Sequence, residues 1–96
     1  MDRQQFLDYL VEKQQEDLHE EVKEFYNTAA TIFRLVSMTE GDETMKESFI
    51  SKLDQAKEPW EQGLQIARMM KDEEKLSIGD AKLAAYNEIR QQLELM

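Results

Sequence analysis

The chain has 96 residues, of which 21 are acidic and 12 basic, and the net charge of −9 argues against direct binding to nucleic-acid phosphates or anionic membranes. Because the chain contains no cysteine, disulfide bonds and thiolate metal sites are excluded. No basic segment leads into an apolar one at the N-terminus, so we expect no export signal, no membrane span and a cytoplasmic location.

The composition indicates an all-α protein. Three glycines and one proline interrupt a sequence rich in Glu, Gln, Lys and Leu, and no alternation of Val, Ile and Thr signals a strand. The length fits one domain over residues 1–96, which buries only about two-thirds of its unfolded surface. We therefore expect a modest core.

A ladder of apolar residues at alternating three- and four-residue steps predicts a long first helix. Neither Gly nor Pro occurs between Phe6 and Met38, so we expect one continuous helix of up to about 36 residues, about 54 Å long. The ladder thins over residues 13–17, which are all polar, and the apolar surface broadens after Val22. The ladder comprises Val11, Leu18, Val22, Phe25, Ala29, Ile32 and Val36.

The segment from Thr39 to Glu43 is the clearest helix break, and Gly41 is predicted in the left-handed conformation that ends helices. Thr44-x-x-Glu47 is typical of a capping box that opens the next helix, and the short turn makes the two helices antiparallel neighbours. Pro59 lies inside this second helix, so we expect a kink or a break there.

A polar run over residues 71–75 precedes a third helix, for which Ser77 is the predicted N-cap. Its apolar positions continue at four-residue steps almost to the end of the chain. The predicted fold is therefore a long antiparallel helical hairpin plus a shorter third helix. This is a three-helix bundle, kinked at Pro59 and completed by dimerisation.

The predicted helix lengths leave the tip of the hairpin uncovered. A third helix of about 20 residues spans about 30 Å, against about 54 Å for the first, so it stops near the level of Phe25. Because a two-helix layer cannot bury both of its sides, we expect a two-fold homodimer whose tips form a four-helix core; the alternative is docking of a different protein there. The predicted interface comprises Ala29, Ile32, Phe33, Val36, Met45, Phe49, Ile50 and Leu53.

Glu16-x-x-His19 matches the half-motif of carboxylate-bridged di-iron sites in helical bundles. Both side chains flank Leu18 on the polar side of the ladder, whereas metal ligands in bundles face inward. We therefore predict no metal site, and we assign no catalytic or cofactor-binding residue.

Glu20-Glu21-x-x-Glu24 resembles the first acidic motif of the all-α nucleotide pyrophosphohydrolases. The resemblance covers five residues, and it implies a dimeric bundle in which carboxylates one turn apart hold Mg²⁺ against a triphosphate. That family continues with Glu-x-x-Asp on the next helix, whereas this chain has Glu58-x-x-Glu61.

Trp60 continues the apolar spacing of the second helix, and we interpret Gly63 as allowing a neighbouring helix to approach closely. The alternative is that Trp60 is an exposed aromatic anchor for a partner. The pair Met69-Met70 is interpreted as core filling rather than as the lining of an adaptable groove.

The sequence favours a small acidic helical-bundle module for protein–protein interaction, such as an adaptor, an inhibitor or a small chaperone, without catalytic activity. One alternative is an Mg²⁺-dependent enzyme of the pyrophosphohydrolase type. The other is an acidic mimic of nucleic acid that occupies a basic cleft; residues 1–24 carry 8 acidic and 3 basic side chains.

Overall fold

Four α-helices make up the chain in the computed structural model, which describes all 96 residues. They are α1 (Arg3–Lys13), α2 (Glu20–Thr39), α3 (Asp42–Met70) and α4 (Glu73–Glu94). No residue is in a β-strand, which confirms the all-α prediction, but the predicted number of three helices is wrong. None of the four helices is long and apolar enough to cross a membrane.

α1 and α2 replace the single long helix that the apolar ladder predicts. The chain leaves the helix over residues 14–19 and turns back, so that α1 packs against α2 instead of extending it. This reversal buries Phe6 and Leu10 completely. A straight helix in an isolated chain would leave both side chains in water, at a cost of about 1.5–3 kcal/mol each.

The turn between α2 and α3 lies where the sequence predicts it, but its details differ. Gly41 has φ −77°, which is not left-handed, and it is the N-cap of α3. α3 therefore begins at Asp42, and the Thr44 hydroxyl donates a hydrogen bond to Glu40 Oε2 (2.8 Å) instead of capping the helix. The chain does not break at Pro59, which lies inside the continuous α3.

α4 begins earlier than predicted. Asp72 is its N-cap and accepts a backbone hydrogen bond from the first turn, whereas Ser77 lies within the helix. α3 is followed by Lys71, which has a left-handed φ of 54°. The Asp72 N–H donates to the Ala67 carbonyl (3.0 Å) and the Lys71 N–H to the Arg68 carbonyl (3.3 Å), which is a Schellman motif.

The core closes at the α2–α3 turn because α1 covers it. The Phe6 ring lies 4.8 Å from that of Phe33 and 5.6 Å from that of Phe49, and the latter two rings make a T-shaped contact at 5.6 Å. Arg3 fastens α1 to the turn through a hydrogen bond to the Ser37 carbonyl (2.9 Å) and an ion pair with Asp42. The predicted helix lengths imply an uncovered hairpin tip, whereas in the structure α1 covers it.

Candidate functional site: a groove at the open end

The two ends of the bundle differ in the number of helices that meet there. The closed end is the α2–α3 turn with α1 packed on it. The open end is formed by residues 63–82 of α3 and α4. Glu21, in the first turn of α2, pairs with Lys82 of α4 at 3.0 Å, and Phe25, one turn later, contacts Trp60 of α3. The last turns of α3 and the first turns of α4 therefore lie beyond the start of α2.

A groove of about 360 Å³ lies between α3 and α4 at the open end. This volume is within the range of protein ligand pockets. Leu64 and Ala67 are buried at this end but do not belong to the main core cluster. The apolar part of the lining consists of Trp60, Leu64, Ile66, Ala67 and Ile78.

Trp60 forms one wall of the groove and is held from two sides. The Phe25 ring meets it in a T-shaped contact at 5.7 Å, and Lys82 Nζ lies 5.5 Å from the Trp60 ring centroid. Lys82 is fixed in turn by its ion pair with Glu21. The half-buried Trp60 thus both packs on the core, as the spacing predicts, and lines the groove; its buried Nε1 has no hydrogen-bond partner.

Two glycines line the groove from helix interiors, for different reasons. A Cβ atom at Gly79 would overlap Leu64 Cδ1, so glycine lets α4 approach α3 closely. A Cβ atom at Gly63 would meet no atom within 4 Å, and its φ is not positive. The predicted role of Gly63 in helix packing therefore belongs to Gly79. Nothing in the fold explains Gly63, which costs a helix about 0.8–1 kcal/mol relative to alanine.

Three large apolar side chains on the last turns of α3 are exposed to solvent. Ile66 lines the groove and is 62% exposed, while Met69 and Met70 are 84% and 75% exposed. The interpretation of the two methionines as core filling is wrong. A cluster of exposed apolar side chains beside a groove is typical of a protein-binding surface.

The open end differs from the rest of the molecule in charge. Four basic and four acidic side chains cancel over residues 68–82, so the net charge of −9 resides in the remaining residues. Arg68 and Lys71 form no ion pair, and the largely exposed Lys75 lies 3.9 Å from Asp72. Of the charged side chains that line the groove, Glu21 and Lys82 pair with each other, so Lys75 is the one left to pair with an acidic group of a ligand.

The eight predicted interface residues lie at or near the closed end of a single chain, and α1 provides the cover that the prediction assigned to a second copy. Binding through this surface stays a prediction, and it would require α1 to move away. Ile32 and Ile50 are half-buried; the buried members are Ala29, Phe33, Val36, Met45, Phe49 and Leu53.

His19, half of the di-iron-like motif, is the N-cap of α2. Its Nδ1 accepts a hydrogen bond from the Glu21 N–H at 3.1 Å. Glu16, the other half, forms an ion pair with Lys13 at 3.1 Å. Both side chains therefore have local roles at the junction between α1 and α2.

The carboxylates of the pyrophosphohydrolase-like motif do not converge. No three His, Asp or Glu side chains lie close enough to hold a metal ion, so Glu20, Glu21 and Glu24 do not join Glu58 and Glu61 in one site. Glu21 and Glu61 are each paired with a lysine. The acidic side chains of residues 1–24 are all exposed, and the mimicry of nucleic acid stays a prediction.

The sequence does not predict the groove, because Leu64 and Gly79 meet only through the register of α3 against α4. The signals that the sequence does contain are glycines inside two helices and the adjacent methionines at a helix end. The chain matches no protein-family model, no curated protein and no solved structure.

Proposed function

We propose that the chain is a protein-binding module whose open-end groove holds an amphipathic α-helix of another protein. The observation that carries this proposal is the combination of the groove with the exposed side chains of Ile66, Met69 and Met70 beside it. An amphipathic helix binds such a surface by laying its apolar face into the groove. The flexible methionine side chains adapt to the shape of that face.

Gly63 supports a helical ligand that approaches the α3 backbone closely. The residue lines the groove, and no atom of the chain occupies the space where its Cβ would lie. A glycine that weakens its own helix without serving the fold is explained if a ligand uses that space. The rigidly held Trp60 then provides the aromatic wall against which the ligand packs.

The charges support an apolar helix flanked by Asp or Glu side chains. Lys75 lines the groove and has only the 3.9 Å contact with Asp72, and Arg68 and Lys71 at the end of α3 form no ion pair. The negative charge of the rest of the chain would repel an acidic ligand and attract a basic one at long range. Salt screens this effect beyond about 8 Å at physiological ionic strength. Close pairing at the groove then determines which ligand binds.

The test uses two synthetic helical peptides of about 18 residues, about 27 Å long, with the same leucine face. One carries Glu at the positions flanking this face, and the other carries Lys. Trp60 is the only tryptophan of the chain and lines the groove, so its fluorescence reports binding without a label. We expect the Glu peptide to shift the Trp60 emission and to bind more tightly than the Lys peptide at physiological salt.

The chain provides a matched pair of control variants. Met69 at the open end and Met38 at the closed end are 84% and 85% exposed, respectively. We expect Met69→Ser to weaken the Glu peptide by about tenfold, which is about 1.4 kcal/mol, and Met38→Ser to change nothing. Gly63→Ala should also weaken binding while making the free chain more stable. Absence of binding, or equal effects of the two methionine variants, would refute the groove as the docking site; preference for the Lys peptide would refute the acidic ligand.

A further inference from the structure

The connector between α1 and α2, residues 14–19, lacks the local signals that fix a helix end. It contains neither Gly nor Pro, and none of its residues has a positive φ. The N–H groups of Gln14, Gln15 and Glu16 still donate to the carbonyls three residues earlier, at 2.9–3.3 Å. α3, in contrast, ends in a Schellman motif. The end of α1 is therefore set by the packing of α1 rather than by the connector.

The chain leaves helical geometry between Glu16 and His19: the Leu18 N–H donates to the Glu16 carbonyl two residues earlier (2.9 Å), and His19 has an extended backbone with φ −58° and ψ 144°. Its imidazole caps α2, although histidine is not among the residues that helix N-caps prefer. Two other side-chain contacts of the connector join Lys13 to Glu16 and Gln14 to the Leu10 carbonyl. Because the Lys13–Glu16 pair spans three residues, it also fits a continuous helix.

We propose that the chain exchanges α1 with a second copy of itself. In the exchanged dimer the connector is helical, and residues 3–39 form one straight helix of about 56 Å. α1 of each copy then packs on Phe33 and Phe49 of the other. α1 of the second copy fits this site, because Phe6 and Leu10 of the chain's own α1 already fill it in the closed monomer.

The closed monomer and the exchanged dimer share their core contacts and differ in the connector. In the dimer the apolar ladder is continuous, with Val11 and Leu18 on one face of the straight helix. The equilibrium between the closed monomer and the exchanged dimer depends on protein concentration and on the interactions of the connector, chiefly the His19 cap. α1 is exchanged at the closed end, whereas the hinge at His19 lies two residues before Glu21, which lines the open-end groove.

A crosslink between α1 and α3 distinguishes exchange from other association. Arg3 of α1 pairs with Asp42 of α3, and the chain has no cysteine of its own. In the variant Arg3→Cys/Asp42→Cys, a short bis-maleimide joins the two positions within one chain in the closed monomer and between two chains in the exchanged dimer. A dimer that forms without exchange gives only the intrachain product, which a denaturing gel separates from the interchain one.

Variants of His19 shift the balance in a predictable direction. His19→Ala removes the cap that only the closed connector needs, whereas His19→Asn replaces it with a better cap. We expect His19→Ala to lower the dissociation constant of the dimer by roughly tenfold or more, because two caps are lost per dimer. Sedimentation velocity from about 10 to about 500 µM measures this constant.

The expected result is an interchain crosslink that increases with concentration, increases further with His19→Ala and falls with His19→Asn. Intrachain product alone, in all three backgrounds and at all concentrations, would overturn the proposal. So would a dimer fraction that is the same for His19→Ala and His19→Asn. Circular dichroism of each variant shows that the helices remain folded.

Discussion

The two ends of this small bundle differ in how far they bury their apolar side chains. At the closed end, α1 covers the α2–α3 hairpin, and Phe6 completes a cluster of three aromatic rings that is sealed from solvent. At the open end, no further helix covers the α3–α4 hairpin. There Leu64 meets Gly79 directly, and the methionines of the last turn of α3 are exposed.

This difference indicates where stability and binding reside. Large side chains that interlock inside a closed core contribute most to the free energy of folding. Exposed apolar side chains beside a groove contribute little until a ligand covers them. We therefore expect substitutions at the closed end to affect unfolding, and substitutions at the open end to affect binding.

The largest effect on stability is expected from Phe6→Ala, which removes the side chain that joins α1 to the closed end. The side chain is completely buried, so the loss should be about 3–5 kcal/mol in the free energy of unfolding. Urea denaturation followed by circular dichroism measures it. Met38→Ala, on an exposed side chain of the same end, should stay within about 0.5 kcal/mol. A loss below about 1 kcal/mol for Phe6→Ala would show that α1 does not seal this end.

A pair of leucines compares the two ends directly. Leu53 is completely buried in the main core, so Leu53→Ala should cost about 2–5 kcal/mol. Leu64 is also buried but lines the open groove, so Leu64→Ala enlarges that groove instead of leaving a closed cavity and should cost only about 1–2 kcal/mol. Equal losses in urea denaturation would contradict the assignment of most of the stability to the closed end.

Alkaline pH should destabilise the folded chain through its buried tyrosines. Burial raises the pKa of Tyr26 to about 12, and burial also raises the pKa of Tyr9, whose ring contacts it. Above pH 10 a tyrosine in the unfolded chain loses its proton while the folded state retains it. The contribution of these tyrosines to stability is therefore fully present below pH 10. It falls as the pH rises toward 12, by about 1.4 kcal/mol per pH unit for each such tyrosine.

Tyr26→Phe tests this assignment. The variant should lose stability less steeply than the wild type between pH 10 and pH 12, because one of the ionising groups is gone. Urea denaturation at several pH values gives the two slopes. Identical slopes would show that Tyr26 does not retain its proton in the folded state.

The smallest effect is expected at the turn of the open end. Lys71 has a left-handed backbone, which costs a residue with a Cβ roughly 1–2 kcal/mol. Lys71→Gly should recover about 1 kcal/mol and raise the melting temperature by about 4–8 °C. Lys71→Ala keeps the Cβ and should give no such gain. If both variants behave alike, relief of the backbone conformation is not the reason.

The sequence by itself determined the helical class, the position of the α2–α3 turn and the residues that pack around it. Apolar spacing carries this information, because the apolar surface that includes Phe33 must face the one that includes Phe49 across a short turn. The sequence predicts the helix caps less well. α3 and α4 start a few residues before the predicted positions.

Only the tertiary structure decided the reversal at residues 14–19 and the groove at the open end. The connector contains no residue that prevents a helix, so the free energy gained by burying Phe6 and Leu10 decides between a straight and a folded chain. The contact between Leu64 and Gly79 depends on how two helices align, which local sequence does not specify. Local patterns therefore determined which segments are helical, and long-range packing determined which surfaces remain exposed.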